Sequence, residues 1–526
     1  MTLPHRSKAY LTAAALGAFF LANSALRLRG SGAEDVFRNW RAFDDFAIAA
    51  GHAADGHFPV APYRVRDYVR RERDPRFRAF KDSLLAEISA KDLRPTSFWK
   101  TFDPSAVAPD GRWLVASRFD DTGRALFLGL AFKALGGAAP FLLFWLGMLA
   151  AFPVMAWIAL ELDAAGHSLA GVIFLAATSG SAFVLDVLSL GYSAVAFHLV
   201  SLLVLIALAT YAILGRPTTR GLIARAAVSG AVLGICALCR GTVPFLLPAF
   251  ALALLVGVRR AASSTSTAPR SDRLRRIGLW AAATALLVVP YLGLRAWSDH
   301  LVAWTRDAYG RDQRPLYHDP ALLLWKGLGD FDRTKGYQFG DKAGEEAIAG
   351  LDPNRRAHRA GEVRLRDVIL DDVREDPLWL AGILTKRVLA TVSLYKLWPW
   401  APVGGSSFFP ATTANEGVID SYYTLTKQAD WFALGRWTVE TPALLLLAPT
   451  LLLMGAAGVR AREGRLATVA TRARRALLVL ACLALAVLPV PVMITTATAL
   501  ETECFVLVHF LALGLLVESL RAPHPP

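Results

Sequence analysis

Asp44 and Asp45, Asp120 and Asp121, and Glu501 and Glu503 form three close acidic pairs in a chain where Lys and Arg outnumber Asp and Glu by 57 to 43. Asp186, His198 and Arg240 stand in or beside long apolar runs. An ionisable side chain there costs roughly 2.5–3.5 kcal/mol at the centre of a bilayer and less near its surface, so its presence asks for a reason. A carboxylate can take the proton from an attacking hydroxyl. An arginine can hold a phosphate and stabilise the charge that grows on it as a bond breaks. Together these residue types suit group transfer from a lipid-phosphate donor.

Each residue also has a structural reading. Asp44–Asp45 and Asp120–Asp121 precede helical patterns and suit helix N-caps. Asp186, Glu501 and Glu503 fall at the edges of apolar runs, where water can solvate them. Arg240 can snorkel to lipid headgroups, and His198 suits a hydrogen bond inside a helix bundle. Asp330, Asp332 and Asp341 alternate with glycines and aromatics in WKGLGDFDRTKGYQFGDKAG, the pattern of an ordered loop whose acids either fix the turn or contact an acceptor.

The elements that must position these groups are apolar helices. Runs at Tyr10–Leu26, Ala138–Leu160, Ser168–Asp186, Tyr192–Leu214, Leu222–Cys239, Val243–Val258, Ile277–Trp297, Thr438–Val459, Ala476–Ile494 and Thr498–Leu520 mostly approach the ~20 residues that cross a hydrocarbon core. With 54% hydrophobic and 19% charged residues, the chain reads as an all-α polytopic membrane protein with about ten transmembrane helices.

The net charge of +14 is concentrated in short connectors: Arg216, Arg220 and Arg225; Arg259 to Arg276; and Arg460 to Arg475. Short basic loops stay cytoplasmic, which accounts for this charge without nucleic acid. Arg6 and Lys8 place the N-terminus on the same side, and counting spans puts the C-terminus there too. The expected layout is a first transmembrane helix in 1–27, an extracytoplasmic region in 28–137, helices two to seven in 138–297, a second extracytoplasmic region in 298–437, and the last three helices in 438–526. An uncleaved first helix is expected over a signal peptide, because the run is long for one. Leu378–Trp398 carries Lys386, Arg387 and Lys396 between Trp379 and Trp398, the composition of a helix lying in the membrane interface. If it crossed, the Arg460–Arg475 connector would change sides.

Two further helices are expected in the first outer region, within Asp35–Gly56 and Phe119–Leu135, and an amphipathic one at Glu362–Asp376 that stops before Pro377. Cys236 and Cys239 have CxxC spacing inside an apolar run, so packing is expected of them in place of redox or metal chemistry; Cys482 and Cys504 also lie in apolar runs. The sequence contains no Gly-rich phosphate loop, HExxH or GxSxG, which leaves cofactor binding of the soluble type, or any metal centre, without support.

In order and local pattern the chain resembles the GT-C superfamily of polytopic glycosyltransferases, which use polyprenyl-phosphate sugars. The resemblance lies in the acidic pair Asp44–Asp45 before FAIAAGHAADG, the FDDTGRALFLGLAFKALGG entry to the second span, and Gly230, Gly234, Leu238 and Arg240 in SGAVLGICALCRGTVPFLLP. The WKGLGDFD stretch also looks like one that recurs in bacterial members. The layout covered is roughly Tyr10–Asp341. The first outer region is longer than usual, and ETECF stands where an Arg-Tyr pair is often found.

The resemblance implies a site on the extracytoplasmic face of a plasma (inner) membrane protein. Asp45 would be the base that activates the acceptor, with Asp44 in reserve. Arg240, Asp120, Asp121, Asp186, His198, Glu501, Glu503, Asp330 and Asp332 are the candidate substrate-binding residues. The implied partners are a polyprenyl-phosphate-linked sugar donor, a glycan or lipid acceptor and the bilayer. The expected reaction is direct displacement at the anomeric carbon with inversion, without an obligatory metal or other cofactor.

Two other classes stay open. A glycan ligase or polymerase acting on an undecaprenyl-diphosphate-linked chain would make more of His198 or His318. A transporter or flippase would carry polar residues toward the midplane, often with internal repeats; the middles of most runs are apolar.

Overall fold

The computed structural model describes residues 12–23, 139–181, 184–185, 188, 194–263, 271–309, 320–329, 331, 334–338, 343, 346–347, 358–393, 431–432, 467–487 and 505–521. The described residues hold helices and turns and no strand. In chain order the helices are α1 (Thr12–Asn23), α2 (Ala139–Ala164), α3 (Ser168–Gly180), α4 (Ala194–Ala209), α5 (Thr219–Cys239), α6 (Leu247–Ser263) and α7 (Ser271–Tyr309). They continue with α8 (Pro320–Leu328), α9 (His358–Glu375), α10 (Pro377–Ser393), α11 (Ala467–Val487) and α12 (Phe505–Arg521).

Among the described residues, four helical stretches are long and apolar enough to cross a membrane: Phe197–Leu214, Thr219–Cys239, Val243–Ala262 and Leu274–Trp297. The first is the centre of the bundle, with 89% of it buried, whereas Leu274–Trp297 is only 11% buried and lies at the periphery. α4 is surrounded by α2, α5, α6 and α11. An apolar helix without a polar face can be central because every face then buries hydrocarbon.

Among the described helices, α5 and α7 make the most extensive pair. A Cβ on Gly230 would overlap the Leu286 carbonyl, and one on Gly234 would sit 3.1 Å from the carbonyl carbon of Pro290. Small residues four apart let the two backbones approach this closely. The contacts advance in the same direction along both helices, so α5 and α7 run parallel. That register sets Arg240 level with about Ala296, and α7 runs on past the apolar stretch to Tyr309.

Polar links join the other helices. Trp280 Nε1 donates to the Ala251 carbonyl at 3.0 Å, tying α7 to α6. Cys482 Sγ lies 3.2 Å from the Ala249 carbonyl, tying α11 to α6. Cys236, Cys239 and Cys482 are buried within the bundle.

A second, smaller core joins α8, α9 and α10 through Leu322, Trp325, Leu328, Tyr337, Leu365, Ile369 and Ile383. The amphipathic helix expected at Glu362–Asp376 forms as α9 and ends at Glu375, before Pro377. α10 covers most of the segment expected to lie in the interface, but its cations are placed differently from that expectation. Lys386 is buried with Nζ 4.8 Å over the Trp431 ring, and Arg387 is wholly buried. These two cations pack into protein, while Leu378 is 81% exposed.

Candidate functional site at the Arg240 end of the bundle

Side-chain bonds sort the helix ends into two groups. At one end the last turn of α2 meets the first turns of α5. Glu161 Oε1 accepts from Arg225 Nε and from Trp157 Nε1, each at 2.9 Å. The Arg225 guanidinium lies 3.6 Å from the centre of the Tyr211 ring, a close cation–π stack. The Tyr211 hydroxyl accepts from the Thr218 backbone N–H at 3.0 Å, and Thr218 in turn caps α5 by accepting from Gly221 N.

At this same end α4 widens into a π-turn over Thr210–Leu214, closed by Gly215 N donating to the Thr210 carbonyl at 3.0 Å. Its last carbonyls would lack partners. Arg260, from the end of α6, satisfies them by donating Nη1 to Ala212 O at 3.0 Å and to Ile213 O, and Nη2 to Gly215 O at 2.7 Å. Glu518 near the end of α12 accepts from Ala170 N at the start of α3 at 2.9 Å. Arg475 of α11 lies near enough to Arg260 for the two charges to repel. The end of α2, the π-turn that ends α4, the end of α6 and the Arg475 turn of α11 therefore meet at one end of the bundle.

α4 starts and α5 finishes at the opposite end. There α5 stops at Arg240, whose backbone turns extended at φ −152°, ψ 114° while its N–H still donates to Cys236 O at 2.8 Å. Arg240 O accepts from Val243 N at 3.1 Å, making a tight Arg240–Val243 turn. A 3-10 turn over Val243–Leu246 follows, with Pro244 where a missing N–H costs nothing, and leads into α6. Thr242 Oγ1 lies 3.2 Å from Nδ1 of His198, in the second turn of α4. His198 is wholly buried, whereas Arg240 is half-buried.

Two of the predicted site residues, Arg240 and His198, are thus brought to one end of the bundle, joined through Thr242. Asp44, Asp45, Asp120, Asp121, Asp186, Asp330, Asp332, Asp341, Glu501 and Glu503 lie outside the described residues. Thr242 escaped the sequence reading, although its place two residues after Arg240 in RGTVP was the available signal. Among the described residues no group of His, Cys, Asp and Glu could hold a metal ion.

The aromatic loop after α8 forms a second polar centre. Tyr337 donates its hydroxyl to Asp372 Oδ2 at 2.6 Å and stacks on Trp379 at 5.5 Å between ring centres. Lys335 Nζ lies 3.4 Å from Asp372 Oδ1 and 5.1 Å above the Trp379 ring. Burial first, and then the Asp372 carboxylate, push the Tyr337 hydroxyl well above its ordinary pKa. Gly336, at φ +81°, supplies the left-handed turn that precedes Tyr337. With its hydroxyl bonded and its ring buried, Tyr337 holds the loop to α9 and α10.

No protein-family model matches the chain, and no curated protein or solved structure is significantly similar to it.

Proposed function

We propose that the protein is a membrane glycosyltransferase that moves a sugar from a polyprenyl-phosphate donor to a glycan or lipid acceptor on the extracytoplasmic face. The observation that carries this reading is the separation of charge along the bundle. Arg240 stands at one end with Thr242 and His198, and Arg225 and Arg260 stand at the other. With that other end cytoplasmic, Arg240 faces the opposite leaflet at headgroup depth. The 21 residues of α5 span roughly 32 Å at 1.5 Å per residue, close to a hydrocarbon core.

In this reading Asp45 takes the proton from the acceptor hydroxyl, and the resulting oxygen attacks the anomeric carbon. The bond from that carbon to the phosphate oxygen breaks, with inversion. Polyprenyl phosphate leaves with the electron pair, and the Arg240 guanidinium stabilises the charge it gains. The exposed faces of α7 supply lipid-facing surface for the polyprenyl tail.

The ligase alternative asks for a histidine open to substrate. Of the two candidates, His198 is wholly buried against Thr242, and His318 lies outside the described residues.

The test incubates membranes containing the protein with labelled polyprenyl-phosphate sugars and follows label into glycans and lipids. Asp45→Asn is expected to lower transfer by about 10²–10⁴-fold while the protein still inserts, the range for a lost general base. Near-normal turnover of that variant would remove the assignment.

A further inference from the structure

At the arginine end of the bundle the described carboxylates are already engaged, while several arginines are exposed. Among the described side chains there, Glu161 is bound to Arg225 and Trp157, Asp163 accepts from Ser168 Oγ at 2.5 Å, and Glu518 accepts from Ala170 N. Arg260 is turned inward, onto the carbonyls that end the π-turn. The neighbouring arginines face out: Arg216 follows Gly215, which is bonded to Arg260, Arg259 precedes Arg260, and both are exposed. Arg474 of α11 is exposed too, and Arg475 beside it feels the Arg260 charge. α11 packs on α6 and on the π-turn, so three segments bring like charges to this end of the bundle, where they repel one another and attract an anion.

We propose that this patch, formed by Arg216, Arg259, Arg474 and Arg475 around the inward-turned Arg260, binds the phosphodiester headgroup of an anionic phospholipid. Arg260 sets the geometry, because its bonds to Ala212, Ile213 and Gly215 hold the ends of α4 and α6 together. Its neighbours present planar guanidinium donors, which match phosphate oxygens in pairs. A lipid is favoured over a free anion by position. The patch caps helical stretches long and apolar enough to cross a bilayer, so it sits at the depth of the headgroups. The site is separate from the Arg240 turn, at the other end of α5, and stands whether or not the glycosyltransferase reading does.

The experiment uses the full-length protein, delipidated in a neutral detergent. It is titrated with phosphatidylglycerol, with phosphatidylcholine of the same chains, and with inorganic phosphate, and bound lipid is counted by native mass spectrometry. The wild type is expected to bind phosphatidylglycerol at least tenfold more tightly than phosphatidylcholine, with the preference falling as salt rises. The triple variant Arg216→Gln/Arg259→Gln/Arg474→Gln removes exposed charges only, and each is expected to cost roughly fivefold, the effect of one basic residue near an anionic membrane. Arg366→Gln, exposed on α9, is expected to keep the preference. Equal binding of the two lipids, or an unchanged preference in the triple variant, would overturn the proposal. So would inorganic phosphate displacing phosphatidylglycerol at equal concentration, since the patch would then be a free-anion site.

Discussion

Thr242 Oγ1 lies 3.2 Å from Nδ1 of His198, and this contact fixes the turn after Arg240 to the second turn of α4. His198 therefore serves as a buried strut. Replacing Thr242 by Val keeps the shape but removes the hydroxyl, and should cost about 1–3 kcal/mol, the penalty for a buried polar atom that loses its partner. Thr242→Ser should remain close to wild type. Thermal unfolding in detergent distinguishes the two; equal midpoints for Val and Ser would show that the contact contributes nothing.

Arg240 itself bears on the proposed reaction. A guanidinium can grip a phosphate through two parallel bonds, which an ammonium cannot. Arg240→Lys should therefore keep part of the transfer activity, while Arg240→Gln should lose about 10²–10³-fold, in the range for loss of one donor to a developing charge. Rates with labelled polyprenyl-phosphate sugar, normalised to inserted protein, provide the check. A glutamine variant faster than the lysine variant would contradict the role.

Gly230 and Gly293 make a matched pair on the two parallel helices. A Cβ at Gly230 would overlap the Leu286 carbonyl and lie 2.9 Å from Leu287 Cα, whereas a Cβ at Gly293 has nothing within 4 Å. Gly230→Ala should destabilise by about 1–3 kcal/mol, because backbone atoms must move. Gly293→Ala should be neutral or stabilise by up to about 1 kcal/mol, because alanine suits a helix better. Unfolding midpoints for the two variants, taken side by side, should move in opposite directions or differ by several degrees.

What could be read from the sequence was local. Apolar length alone located the helices seen as α2 to α7. The turn at Pro377 was legible for the same local reason. Pairings across distance were not. Nothing near Arg387 announces that it is buried, and Asp372 lies 35 residues from the Tyr337 hydroxyl that it accepts from. The π-turn was also hidden, since TYAIL differs little from its helical surroundings and the stabilising Arg260 belongs to another helix. Gly230 and Gly234 entered the sequence reading as part of a family-like motif, whereas in the fold they are the contact that seats α7. Of the candidate site, the sequence set His198 near the start of one apolar run and Arg240 at the end of the next, and their link through Thr242 needed the fold.

Tyr337 gives the outer core a dependence on alkaline pH. Its folded pKa is raised above the ordinary 10.0 by burial and then by Asp372, so the folded state holds its proton longer than the unfolded chain. The unfolded state then binds fewer protons above pH 10, and stability must fall as pH rises further. Below pH 10 this contribution is complete. Tyr337→Phe should remove the slope and cost about 1.5–3 kcal/mol at neutral pH, the value of a hydrogen bond to a charged group. Hydrogen exchange of the α9 backbone between neutral pH and pH 11, corrected for intrinsic rates, checks both parts; an unchanged slope in the variant would place the alkaline sensitivity elsewhere.

Glu161 joins two helices through one oxygen, which accepts from Arg225 and from Trp157. Its side chain is 9% exposed and that of Arg225 is 26% exposed, so the pair is largely shielded from water. Removing one partner leaves the other charge without compensation, a loss of about 3–5 kcal/mol in buried pairs. Glu161→Ala should therefore be severe, while Glu161→Gln keeps an acceptor for Trp157 and should cost less. The double variant Glu161→Ala/Arg225→Leu removes the stranded cation, and should be less destabilised than the sum of its single variants. The cycle is read by unfolding in detergent. Strict additivity would mean that Arg225 is held by its stack on Tyr211, 3.6 Å from the ring centre, and that the carboxylate serves Trp157 alone.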